Sequence, residues 1–207
     1  MKKFAILLSY VLHPLFAPII GISILFNSGT YIGLINNRLF LFLYTLVALF
    51  TIFLPLLVIS ILVQLRVLKN LYLEERKERI IPYMLTFIFY AILFIFLKKE
   101  QVPHNFPIWV YILGCSISVL FMLIITYFWK ISSHMIGIGG ITALILSISF
   151  VFRVDLMFYL IICLTLSGLL GSSRLLLNKH NLGQVLTGYF LGFITILSIS
   201  YIYFVYY

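Results

Sequence analysis

Long apolar runs broken by short polar segments dominate the chain, and their lengths set the first expectation. About 20 apolar residues in helical form cross the hydrocarbon core of a bilayer. Such runs cover about 4–26, 39–65, 80–97 and 107–129, with a fifth ending near 152, a sixth near 170 and a last starting near 182. The pattern predicts an all-α, polytopic membrane helical bundle of six or seven spans, a single integral-membrane domain over 1–207. The start, Met1-Lys2-Lys3 and then an apolar run, resembles a signal peptide, but no small-residue cleavage site follows and the run is long enough to span. It is read as a retained first helix.

Prolines and glycines locate the irregularities. Pro14 and Pro18 predict a kink or break in the first span, because proline removes a backbone donor and clashes with the preceding turn. His13 beside them reads as a packed histidine without a role. Pro55 interrupts the second span, whereas Pro82 falls in the first turn of the third, where proline is tolerated. The charged segment 66–79 reads as a helix extending into water, with Arg76 and Arg79 on one face. Pro103, His104 and Pro107 read as a plain connector, and Arg153 and Asp155 as a tight turn. Gly137, Gly139 and Gly140 suit close helix packing or approach to an anion, and Gly188 with Gly192 forms a small-residue face.

Composition excludes a soluble domain: 64% of residues are hydrophobic, 9% are charged, and mean hydropathy is +1.21. Chemistry must therefore sit at helix ends and in loops. The net charge of +9 is carried by few residues clustered there. It points to topology signals, lipid headgroups or an anionic substrate, and not to nucleic acid. Cys115 and Cys163 lie singly in apolar runs, so neither a disulfide framework nor a zinc site is expected.

Against this background, 171–192 (GSSRLLLNKHNLGQVLTGYFLG) places Arg174, His180 and Gln184 in an apolar protein. Intramembrane charge is costly and asks for a reason. Gln184 lies one helical turn beyond His180 and can hold the imidazole in one tautomer. If the intervening residues form a loop leading into a helix, Arg174 can present its planar fork to phosphate oxygens at the same point. Two spans separate the Arg76 and Arg79 segment from His134, and two more separate His134 from Arg174 and His180. Even numbers of crossings return the chain to one face, so all three segments can converge. Arginines, two histidines, serines and helix-start amides suit a phosphoryl group, with one histidine attacking phosphorus and the other protonating the leaving oxygen. No metal-ligand set accompanies them, so no metal or cofactor is expected.

These residues resemble the type 2 phosphatidic acid phosphatases, related in fold and site to vanadium haloperoxidases, whose pattern is K-x6-R-P, then P-S-G-H, then S-R-x5-H-x3-D. Ser173-Arg174, five residues, His180, three residues and Gln184 match the third block except at its last position. Ile131-Ser132-Ser133-His134 matches the second at the serine and histidine. Lys69 and Arg76 have the first block's spacing without its proline, and Arg79 stands three residues before Pro82. The resemblance covers about 69–192. The family keeps its first two blocks in one loop, whereas two spans intervene here.

The resemblance implies that His180 forms a phosphohistidine and that His134 protonates the departing group. It also implies that Arg174, Arg79, Arg76, Lys130, Ser132 and Ser133 bind the phosphoryl oxygens. Gln184 replaces an aspartate that would orient the nucleophile and offset its positive charge. The expected function is metal-independent hydrolysis of a lipid phosphate or pyrophosphate in a bacterial cytoplasmic membrane. The alternative is a non-catalytic lipid-phosphate binding or membrane-assembly protein on the same fold. A transporter lacks an apparent inverted repeat of broken helices. Asp155 is the only aspartate, so a paired-carboxylate magnesium site of the prenyltransferase kind cannot be built.

Overall fold

The computed structural model describes residues 1–34, 36–69, 75–99 and 108–206, and among them every regular element is helical. Seven helical stretches are long and apolar enough to cross a membrane: Lys2–Phe26, Asn37–Gln64, Lys77–Lys99, Ile108–Thr126, Ser133–Phe152, Met157–Leu176 and Leu182–Val205. The protein is therefore a multi-pass all-α bundle with the larger of the two span numbers expected.

Proline breaks the first two spans as the sequence indicates. The first consists of α1 (Lys2–Val11), a 3-10 turn at Pro14–Phe16 and α2 (Ala17–Phe26). His13, just before Pro14, is extended at φ −64° and ψ 138°, because the proline ring excludes the helical region from the preceding residue. The second consists of α3 (Asn37–Ala48), a π-helical turn at Leu49–Phe53 and α4 (Leu54–Gln64). That turn precedes Pro55, which cannot donate to the ladder, and rewinding there absorbs the missing bond.

The charged segment differs from expectation. Helix α4 stops at Gln64, Arg66 takes a left-handed φ of 58°, and a 3-10 turn at Lys77–Arg79 leads into α5 (Ile80–Lys99). Among the described residues 66–79 is thus no continuous helix in water. Lys69 is drawn into ion pairs with Glu75 (2.5 Å) and Glu78 (3.7 Å), and fixing this local cluster competes with helical geometry. The connector with Pro103, His104 and Pro107 lies outside the described residues.

Helices α6 (Ile108–Thr126), α7 (Ser133–Phe152), α8 (Met157–Leu176) and α9 (Leu182–Tyr206) complete the bundle. Helix α7 is the most enclosed, packed against α9, α8 and α2. Glycine makes this possible. A Cβ on Gly139 would strike the Tyr189 carbonyl oxygen, and one on Gly192 the Ile136 carbonyl oxygen. One on Gly188 would come within 2.7 Å of the Ser132 carbonyl oxygen. The glycines of α7 and α9 thus serve backbone-to-backbone packing. Helix α8 continues to Leu176, past the expected end near 170, so Arg174 lies in its last turn and not in a loop.

Candidate functional site

The α8–α9 connection is held at both ends by its own sequence. Asn178 has φ 52°, a left-handed value that asparagine tolerates. Asn178 N donates to Leu175 O (2.9 Å) and Lys179 N to Arg174 O (3.2 Å), the paired bonds of a Schellman stop. Two residues later a capping box starts α9. The Asn181 side chain accepts from Gln184 N (2.9 Å), and Gln184 Oε1 accepts from Asn181 N (3.3 Å). His180 stands between these fixed points, buried, with Nδ1 3.0 Å from Gln184 Oε1. Because that oxygen only accepts, Nδ1 carries the proton and Nε2 keeps its lone pair.

The neighbouring side chains come from other spans. Arg174 Nη1 donates to Ser9 Oγ (3.2 Å) of α1, and its Nε is buried without a partner among the described residues. His134, in the first turn of α7, has Nε2 3.1 Å from the Ser9 carbonyl oxygen, so it is the donor. Its ring stands edge-on to His13 at 5.4 Å between centroids.

These groups open onto one cavity of about 190 Å³. Its charged mouth is formed by Arg79, Arg174, His134, His180 and Ser133, and His13 and Tyr83 join them. From there it continues between α5 and α6 past Thr86, Tyr90 and Ser118 to the apolar Ile196. The helical rise from Arg79 to Tyr90 is about 16 Å, roughly half the hydrocarbon thickness. Helical hydroxyls such as Thr86, Thr126, Thr142 and Ser147 donate to the carbonyl four residues earlier. Ser118 is 4% exposed, and its hydroxyl, like that of Thr51, has no partner among the described residues.

Among the described residues no acidic side chain lines the cavity, so its field is positive. His180 feels this. Burial pushes its pKa down to about 4, the Gln184 hydrogen bond opposes the shift, and Arg174, Arg79 and Lys130 add to it. Because the folded value lies below the ordinary 6.5, folding favours the neutral ring. That contribution to stability is full above about pH 6.5 and is lost as pH falls from there through about 4. In ¹⁵N spectra of histidine-labelled protein, the signal missing from a His180→Ala sample is expected to remain neutral at pH 5.5 and titrate near 4. Titration at 6.5 would contradict a buried, cation-facing ring.

The predicted residues separate into groups. Arg79, Ser133, His134, Arg174 and His180 meet at the mouth. Gln184 stands behind His180. Lys130 acts on His180 through its charge but does not line the cavity. Ser132 is fully buried, its hydroxyl unpartnered among the described residues, and its amide donates to Gln184 O at 3.4 Å, so its backbone is used in packing. Arg76 caps the 3-10 turn that delivers Arg79 but does not line the cavity itself. Lys69, the alternative for the first block, is exposed and ion-paired.

The cavity also extends beyond 69–192. His13 and Pro14 line it, and Ser9 supports it, although the first span reads as plain scaffold in the sequence. An ionisable residue beside a mid-span proline was the available signal for His13. Ser9 had none, because serine is unremarked in a span. Among the described residues no three His, Cys, Asp or Glu side chains are grouped to hold a metal ion.

Fold and site together define a multi-pass helical membrane protein with a basic, histidine-bearing cavity that runs from one end of the bundle into its interior. No family model, curated protein or solved structure matches the chain.

Proposed function

We propose that this protein is a metal-independent membrane phosphatase acting on a lipid phosphate or pyrophosphate through a phosphohistidine on His180. The observation that carries the reading is the neutral His180 ring, its proton held by Gln184, in a cavity it shares with two arginines and, among the described residues, no acid. Arg79 and Arg174 suit the equatorial phosphoryl oxygens. Nε2 of His180 attacks phosphorus, the bond from phosphorus to the leaving oxygen breaks, and that oxygen takes a proton from His134. Water then attacks the phosphohistidine and gives its proton to His134, the phosphorus–nitrogen bond breaks, and phosphate leaves with both rings restored. With Nε2–H of His134 engaged by the Ser9 carbonyl, the proton it passes is one taken up on Nδ1 when the anionic substrate enters the cavity. The cavity's extension into the bundle suits a substrate whose tail stays in hydrocarbon.

The test is phosphate release in mild detergent from phosphatidic acid, phosphatidylglycerol phosphate and undecaprenyl pyrophosphate, with chelator, beside a His180→Ala control. Release that survives chelator and disappears in the variant is expected, and the best substrate identifies the lipid class. No release above the variant on any of the three would refute the reading.

One observation favours the second reading, a non-catalytic lipid-phosphate binding or membrane-assembly protein. Gln184 supplies no charge to the cationic ring that phosphoryl transfer creates. Aspartate is the residue at this place in the pattern the chain resembles, but the 3.0 Å contact is made at glutamine's reach, so Gln184→Glu is the isosteric test. A carboxylate there is expected to raise the rate about tenfold or more, by the converse of the loss that follows when a triad aspartate is neutralised. A binding protein would show no turnover with either residue.

A further inference from the structure

The break in the first span has a consequence beyond shape. In an unbroken helix the His13 amide would donate to the Ser9 carbonyl. With His13 extended before Pro14, that amide instead reaches Tyr10 O at 3.3 Å. The Ser9 carbonyl is thereby freed inside an apolar bundle, where an unsatisfied backbone group is expensive. His134 Nε2 occupies it at 3.1 Å. The same residue's hydroxyl donates to Ala5 O (2.9 Å) and accepts from Arg174 Nη1 (3.2 Å). Among the described residues that is the one hydrogen bond of the Arg174 guanidinium. Ser9 is 8% exposed and does not line the cavity, so it acts through its two neighbours.

We propose that Ser9 is a positioning residue of the anion site: through its freed carbonyl and its hydroxyl it holds His134 of α7 and Arg174 of α8 in one register. Pro14 is the residue that frees the carbonyl for this purpose. A helix serine bonded only to its own backbone would make neither of these cross-span bonds. Arginine carries about as much side-chain entropy as any residue, and a fixed acceptor removes part of what phosphate binding would otherwise cost. The assignment rests on the lipid-phosphate reading for its ligand, but its geometry is made by the protein's own groups.

The experiment therefore has three readouts. In arginine-labelled protein in detergent, the guanidinium signal absent from Arg174→Lys is expected to exchange slowly in the native protein. It should also do so in Ser9→Thr, and exchange at least tenfold faster in Ser9→Ala. Dioctanoyl phosphatidic acid binding, by calorimetry, is expected to weaken about tenfold in Ser9→Ala and to return within about twofold in Ser9→Thr. Ser9→Ala should add nothing further on an Arg174→Lys background. Pro14→Ala, which lets the His13 amide recapture the carbonyl, should shift the His134 ring signals without changing those of His180.

Native exchange and affinity in Ser9→Ala, or equal losses with and without Arg174, would overturn the assignment. Absence of binding by the native protein would overturn the lipid-phosphate reading instead, and the exchange readout would still decide Ser9.

Discussion

On the proposed mechanism, His180→Ala is expected to reduce chelator-resistant phosphate release by at least about a thousandfold, because it would remove the atom that takes the phosphoryl group. Loss through misfolding is not expected. The Schellman bonds around Asn178 and the reciprocal Asn181 and Gln184 cap do not use the imidazole, so the α8–α9 connection keeps its shape. Gln184 Oε1 retains the Asn181 amide as donor when the ring is gone. The decisive companion measurement is acid-labile, base-stable label on the protein after rapid quench with ³²P-labelled lipid phosphate, as a phosphoramidate requires. Label present in the native protein and absent in the variant is the expected pair. A variant with more than a tenth of native turnover would remove His180 as nucleophile, and His13 or His134 would then have to be tested in its place.

The second large effect concerns the bundle. Gly139→Ala and Gly192→Ala each place a methyl group where the facing helix has a backbone carbonyl, Tyr189 O in one case and Ile136 O in the other. A carbonyl within a helix cannot swing aside as a side-chain tip can. The helices must separate, at a cost of about 3 kcal/mol or more. The thermal midpoint in detergent should fall by roughly 10 °C. Gly168→Ala is the matched control, since a Cβ there meets nothing within 4 Å, and its midpoint should stay within about 2 °C. Equal midpoints for all three would mean that α7 and α9 pack less closely than described. Separation would also move the site, because the first turn of α7 carries Ser133 and His134 while α9 carries Gln184.

Much of the fold was legible because crossing a bilayer imposes a length and a polarity that the chain must display. The seven runs, the breaks at Pro14 and Pro55, and the packing use of Gly139, Gly188 and Gly192 follow from rules that act within a few residues. The segment 66–79 was misread for a related reason. Mixed charge without glycine is compatible with a helix, but the ion pairs of Lys69 with Glu75 and Glu78 are a choice among partners that periodicity does not rank. The end of α8 was placed too early because Gly171, Ser172 and Ser173 look polar, although serine in a helix can satisfy itself, as Ser173 does on Leu169 O. Gln184 carries a double duty that was equally available in the sequence: Asn181-x-x-Gln184 is a capping box.

By itself the sequence determined that the protein is a multi-pass helical bundle, and that Arg79, His134, Arg174 and His180 lie at the same end of it. The first follows from hydrophobic run length, and the second from the parity of crossings. Tertiary structure decided which of the basic and polar residues at that end meet: Arg79 rather than Arg76 or Lys69, Ser133 rather than Ser132, and His13 in addition. It also decided that Ser9 stands behind His134 and Arg174. Parity assigns a residue to a face of the membrane but not to a position around the bundle. That position depends on how each helix is rotated, and the rotation is set by contacts between residues far apart in the chain, glycine against carbonyl above all.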